Sequence, residues 1–162
     1  MISTATGAVH RAAAASLAAV LVLAPAAGLA QDYENQIAAR QGQFKIMALN
    51  LGVLGGMARG NMDYDAGLAE TAAENLVTVS RLDQSFHWPE GSDNMALDTT
   101  RAQPTIWDDF DDFAAKWGDF GTAAEALVEV AGDGREALGP AVGELGGACK
   151  ACHEAHRGPE LE

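Results

Sequence analysis

Cysteine is nearly missing from this sequence of 162 residues: two are present, Cys149 and Cys152, close together near the carboxyl end. A framework of structural disulfides is excluded, so packing and any bound group must stabilise the fold. Basic residues are scarce as well, 10 Lys and Arg against 23 Asp and Glu, for a formal net charge of −13. That balance disfavours nucleic acid and anionic lipid as partners, and a solvated acidic surface accounts for it without a basic docking partner. No stretch alternates apolar and polar residues as a half-buried strand does. After residue 30 no apolar run is long enough to span a bilayer.

What is present begins with a leader. An uncharged apolar run, Ala12 to Ala30, follows Arg11, is interrupted by Pro25 and Gly28, and ends in small residues. It reads as a secretory signal peptide, residues 1–30, cut before Gln31, and predicts a periplasmic protein. The mature chain, residues 31–162, loses Arg11 with the leader and is therefore still more acidic than the whole. Its length suits one compact domain with one core, and no linker divides it.

The two cysteines belong to Cys149-Lys150-Ala151-Cys152-His153. Two thiols three residues apart, followed at once by an imidazole, are the attachment signature of c-type haem. On a helix these three side chains stand at i, i+3 and i+4 and project from one side. Cys149 and Cys152 can form the thioethers of one covalent haem c while His153 serves as the axial iron ligand. The competing readings are a chance pair and a redox dithiol; the latter should follow a strand, whereas here the flanking sequence reads as helix. Export and haem attachment agree, because c-type haem is attached outside the cytoplasm.

Apolar residues recur at spacings of three and four throughout, so the fold is expected to be all-α. A first helix carries Ile37, Phe44, Met47, Leu51, Leu54 and Met57 and stops at Gly60-Asn61. A second runs from about Tyr64 to Phe86, with Leu68, Ala72, Leu76, Val79, Leu82 and Phe86 inward, until Trp88-Pro89-Glu90-Gly91 stops it. A long loop spans His87 to Gln103. A third helix opens around Pro104 and repeats Ile106, Phe110, Phe113, Trp117, Phe120, Ala124 and Leu127, with Asp108, Asp111 and Asp112 near its positive end. The fourth follows Gly132-Asp133-Gly134 and carries Leu138, Val142, Leu145, Cys149, Cys152 and His156. Gly139-Pro140 leaves two choices, a helix kinked there or one that starts afresh with Pro140 in its first turn. Gly139, Gly143, Gly146 and Gly147 either admit a close neighbour or are simply tolerated. Four helices with one longer crossover describe an antiparallel up-down four-helix bundle.

A bundle with its haem motif in the last helix resembles cytochrome c′, a class II c-type cytochrome, over essentially the whole mature chain. The resemblance rests on Cys149 to Glu154, Arg40-Gln41 early in the first helix, Ile106-Trp107 opening the third, and Arg157 four residues after His153. It implies a haem inside the bundle, with Arg40 and Gln41 along its propionate edge. Arg40 suits that place because a guanidinium can donate two parallel hydrogen bonds to a carboxylate. By the same alignment Thr100 and Arg101 approach the haem edge, and Arg157 stands beside the proximal imidazole, although it could equally cap the helix end.

The family position on the far side of the iron falls on Phe44, which cannot ligate. The resemblance therefore implies a five-coordinate iron under an apolar lid, open to neutral NO and CO and unfavourable to anions. Phe44 also reads as an ordinary core residue, and a packed ring can be both. Met47 is the competing sixth ligand, as in low-spin members of the class; apolar filling is the alternative role. Met57, Met62 and Met95 are worse placed. His87 reads as a surface or capping residue. His156 departs from the Tyr or Phe usual there, and reads either as polar-edged packing or as a titratable group beside the haem. The functional expectation is a gas-binding haem protein able to take part in electron transfer with an unidentified redox partner, not an enzyme; the alternatives are a simple electron carrier or a His/Met-ligated one. The resemblance also implies a homodimer, to which Leu51, Val53 and Met57 could contribute.

Overall fold

The computed structural model describes residues 33–161. The signal peptide expected over residues 1–30, and with it the cleavage before Gln31, lies outside the described residues. Among the described residues five helices follow in order: α1 Glu34–Ala58, α2 Ala66–Ser80, α3 Thr105–Asp108, α4 Phe110–Val128 and α5 Arg135–His156. Among the described residues there is no strand, only an isolated antiparallel bridge between Ala102 and Arg157. The four long helices close a ring in which α1 packs on α2 and α5, and α4 on α2 and α5. This is the expected four-helix bundle, with α3 as a single turn laid against α4 and α5.

Helix ends explain where expectation and structure part. α1 stops as its sequence predicts: Gly60 takes φ +73°, and Asn61 and Gly60 donate back to the carbonyls of Gly56 and Met57, as a helix end closed by glycine does. α2 starts after Asp65, whose carboxylate accepts from Leu68 N at 2.8 Å and so caps the first turn, but it ends at Ser80, well before the expected Phe86. The chain leaves the helix because the Ser80 carbonyl accepts from Trp117 Nε1 at 2.8 Å, and because Gln84 turns inward to pair with Gln43 at 3.0 Å. Leu82 and Phe86, expected inward, are therefore exposed loop residues, and Leu68 lies on the outer face. Ala72, Leu76 and Val79 are buried as expected.

The third helix is divided, not continuous. Asp109 leaves helical geometry at φ −144°, ψ 77°. Its carboxylate accepts from Asp112 N at 3.0 Å, which caps α4. Phe110, expected in the core, is consequently part-exposed beside Phe113. The fourth segment resolves to one helix that runs through Pro140 and starts at Arg135, just after the expected Asp133. Gly134 takes φ +104°, a conformation open to glycine. It donates its N–H to Tyr64 Oη at 2.9 Å, and the same hydroxyl donates to Ala131 O at 2.7 Å, so one phenol fixes the turn. A Cβ at Gly139, Gly143, Gly146 or Gly147 would meet nothing within 4 Å, so no neighbouring helix requires these glycines.

The ring is filled at one end and hollow at the other. Leu54, Met57, Leu76, Leu127, Leu138 and Leu145 form a solid core between the end of α1, α2, the second half of α4 and the first half of α5. Each such side chain contributes about 1.5–3 kcal/mol through burial. A second cluster of Trp88, Ala102, Ile106 and Phe113 lies under the long crossover. Between the two is a cavity.

Candidate haem pocket

The cavity measures about 430 Å³ and is walled by α1 from Arg40 to Leu51, the crossover and α3, the first half of α4 and the end of α5. All nine residues singled out from the sequence line it: Arg40, Gln41 and Phe44 from α1, Thr100 and Arg101 from the crossover, and Cys149, Cys152, His153 and Arg157 from the last helix and its cap. Periodicity places the α5 group, since Cys149, Cys152, His153, His156 and Arg157 recur at three and four on one helical side. A second groove, about 500 Å³ between α2 and α4, is lined by Glu74, Thr78, Arg81 and Glu125 among others and contains neither thiol nor imidazole.

Arg40 is the electrostatic anomaly of the site. Its side chain is buried, with 3% of the residue exposed, and donates to Ser92 Oγ at 2.8 Å, Ser92 O at 3.1 Å and Thr100 Oγ1 at 3.4 Å. All three acceptors are neutral, and burial pulls the guanidinium down to about 10. A buried cation without a counter-charge is costly, so this pocket is built for an anionic group. Gln41 donates to Thr99 O at 2.9 Å and ties the crossover to α1. Thr100 is buried beside Arg40, whereas Arg101 is held by Gly158 O at 2.9 Å and Glu160 at 3.6 Å and faces the cavity from the carboxyl-terminal side.

Both thiols are half-buried, and burial pushes them above the usual cysteine range. A redox dithiol needs the opposite shift toward thiolate. The imidazole of His153 is held below its ordinary value, first by desolvation and then by the charges of Arg157 and Arg101, which favours the neutral ring a metal requires. Arg157 Nη1 lies 3.3 Å from His153 Nδ1, so its side chain turns to the imidazole and not to the helix-end carbonyls. On α1 the Phe44 ring faces the cavity, in edge contact with Trp88 at 6.5 Å and Trp117 at 6.2 Å. Met47 also lines the cavity, while Met57 is core and Met62 and Met95 are exposed away from it.

This donor set fits a covalent haem: two neutral thiols and a neutral imidazole on one helix, a largely apolar chamber, and one buried cation awaiting an anion. Sequence reasoning missed Trp88, Trp117, Lys116 and Ser92. Trp88 reads in the sequence only as part of a helix stop, yet it is 7% exposed, lies under Arg40 and donates to Gln84. Its size in a polar loop was the available signal. His87, as expected, stays out of the cavity, 3.4 Å from Gln84.

Comparison with known proteins identifies the family, whose relatives carry more than one name: a cytochrome c-554 of Cereibacter sphaeroides is 39% identical over 140 residues, covering 85% of this chain and 90% of that one. The family model described as Cytochrome C′ matches residues 35–157. Cytochrome c′ of Cereibacter sphaeroides is 41% identical over 141 residues, covering 87% of this chain and 95% of that one. A solved cytochrome c′ from Rhodobacter Spheriodes superposes with a TM-score of 0.77 at 40% identity, covering 80% of this chain and 99% of that one. A ferrous cytochrome c′ variant with bound NO, from Alcaligenes xylosoxidans, superposes at 0.69 with 27% identity, covering 80% and 98%. With the attachment motif on the last helix of such a bundle, this chain belongs to the cytochrome c′ family, which carries one covalent haem c per chain.

Proposed function

We propose that this chain is an exported, periplasmic gas-binding haem protein, not an enzyme, in which His153 alone holds the iron and the opposite face admits NO or CO. The observation that carries the reading is Phe44: the α1 residue facing the cavity at the family's distal position has no ligating atom, and it is braced edge-on by two tryptophans. Haem c, when bound, would supply an iron able to exchange one electron and bind neutral diatomics.

The chain's own residues do the rest. Cys149 and Cys152 would hold the porphyrin, and the neutral His153 is ready to donate a lone pair. Arg40, held by Ser92 and Thr100, would meet propionate charge at the buried edge, and Gln41 and Arg101 line the same cavity. Phe44, Trp88, Trp117, Phe120 and Leu51 line the chamber with apolar surface, which suits a neutral diatomic. The NO complex known for the Alcaligenes xylosoxidans relative supports the gas-binding reading.

Electron transfer to a redox partner is the second reading, favoured by an open mouth: Lys45 and Leu161 line the cavity and are both exposed. We also propose a homodimer, but not through Leu51, Val53 and Met57. Met57 is fully buried in its own core, and Leu51 and Val53 pack against that core. Ile46 and Leu49, 51% and 71% exposed on α1, are the free apolar residues.

A ferrous absorption spectrum tests the main reading. Broad high-spin bands that change on adding NO or CO are expected; sharp low-spin bands indifferent to both gases would sink it.

A further inference from the structure

The end of α5 beyond His153 is fastened to the rest of the molecule by an unusual set of hydrogen bonds. Thr105 Oγ1 donates to Ala155 O at 2.8 Å, and Gln103 N donates to His156 O at 3.0 Å. Two carbonyls that a helix end leaves open are thereby both satisfied. The His156 ring, in a residue 5% exposed, lies with Nδ1 3.1 Å from Thr105 Oγ1 and Nε2 3.0 Å from Asp112 Oδ2, its edge against Phe113. It therefore reaches α3 and α4 at once.

Counting protons fixes the state of that ring. Thr105 has a single hydroxyl hydrogen, which is committed to the Ala155 carbonyl, so toward His156 its oxygen can only accept and Nδ1 must carry a hydrogen. Asp112 is ionised: Lys116, 2.9 Å away on the same helix, holds its carboxyl below the ordinary range, and His156 adds to the effect. A carboxylate can only accept, so Nε2 must carry a hydrogen too. Removing either proton would set two lone pairs against each other or turn the Thr105 hydroxyl away from Ala155.

We infer that His156 is a positioning residue: protonated on both ring nitrogens, it pins the last turn of α5 to Thr105 and Asp112 and thereby fixes the direction from which His153 faces the haem. The titratable and charged groups around it are Asp112 and Lys116 on α4, the neutral His153 and Arg157 on its own segment, and Arg101 from the crossover. Outer-shell groups of this kind orient metal-bound imidazoles and are felt at the metal. The inference deepens the axial role assigned to His153 and does not depend on whether a gas binds.

Two measurements on the haem-loaded protein test it. Neutron diffraction from deuterium-exchanged crystals should show deuterons on both Nδ1 and Nε2 of His156; a bare nitrogen at either position would overturn the protonation. Ferric electron paramagnetic resonance should show broadened lines in His156→Phe and Thr105→Val, since the axial imidazole is then less well oriented. Thr105→Ser keeps the hydroxyl and should retain the parent line shape. If Thr105→Val overlays the parent, or Thr105→Ser broadens equally, His156 only fills space. The spin state in the same parent spectrum reports separately on the five-coordinate reading, so the two failures are distinguishable.

Discussion

Arg40 lies over the face of Trp88, its guanidinium carbon 4.5 Å from the ring centroid, with the whole arrangement buried under the crossover. A desolvated cation–π contact contributes about 2 kcal/mol, and three hydrogen bonds to neutral oxygens add to it, but neither supplies a counter-charge. Propionate does. In the haem-loaded protein Arg40→Leu should therefore cost about 3–5 kcal/mol, the range for breaking a buried charge pair. In a haem-free chain made by Cys149→Ala and Cys152→Ala the same substitution should cost much less. Urea denaturation of both pairs checks this, and equal losses would mean that Arg40 serves the protein fold alone.

The same guanidinium makes a pH prediction for the haem-free chain. Its value near 10 in the fold lies below the ordinary arginine range, so between the two the unfolded chain binds more protons than the native one. Stability from this group rises with pH there. Below about pH 10 the burial penalty is fully present, and it starts to be lost as pH rises through that value. The stability difference between the haem-free parent and its Arg40→Leu variant should therefore move in the parent's favour from pH 9 to 11, followed by chemical denaturation. A flat difference would place the Arg40 charge in contact with water.

Little of this was hidden at the level of the motif. Cys149, Cys152 and His153 declare themselves by spacing, and Gly60-Asn61 by the positive φ that a helix stop wants, because both signals are local. Ser80 and Asp109 were not legible as helix ends. The first is decided by Trp117 reaching the Ser80 carbonyl from another helix, and the second by a cap that interrupts an otherwise continuous apolar repeat. Likewise the sequence offers Arg40 as a helix residue, and only the packed crossover makes it a buried cation. His156 shows the same limit: its spacing placed it near the haem, but its two partners, Thr105 and Asp112, are brought to it by α3 and the start of α4.

Phe44 is the lid in the gas-binding reading. Phe44→Ala would remove the ring that Trp88 and Trp117 brace and leave an open path on the α1 side. CO association measured by flash photolysis should quicken roughly tenfold, equivalent to about 1.4 kcal/mol off the barrier. An unchanged rate would locate the barrier in another part of the chamber.

Met47 shares the cavity wall with Phe44 and carries the sulfur that Phe44 lacks. If it only fills space, Met47→Leu should leave the ferrous and ferric spectra as they are and cost less than about 1.5 kcal/mol, the range for a volume-conserving apolar exchange. Conversion of a low-spin parent spectrum to a high-spin one on this substitution would identify Met47 as the sixth ligand and refute the open axial site.

Ile46 and Leu49 stand three residues apart on α1, with Val53 four residues further along the same side, half-buried against the core. Among the described residues the first two are 51% and 71% exposed. Leu49, a long apolar side chain 71% exposed, gains by burial against a second copy of the same helix. A twofold contact repeats each substitution, so a charge placed there faces its own image. Leu49→Glu should convert a dimer into a monomer in sedimentation velocity at concentrations where the parent is dimeric, with an unchanged haem spectrum, because the cavity lies on the other side of α1. A parent that sediments as a monomer at every concentration tested would rule out this interface.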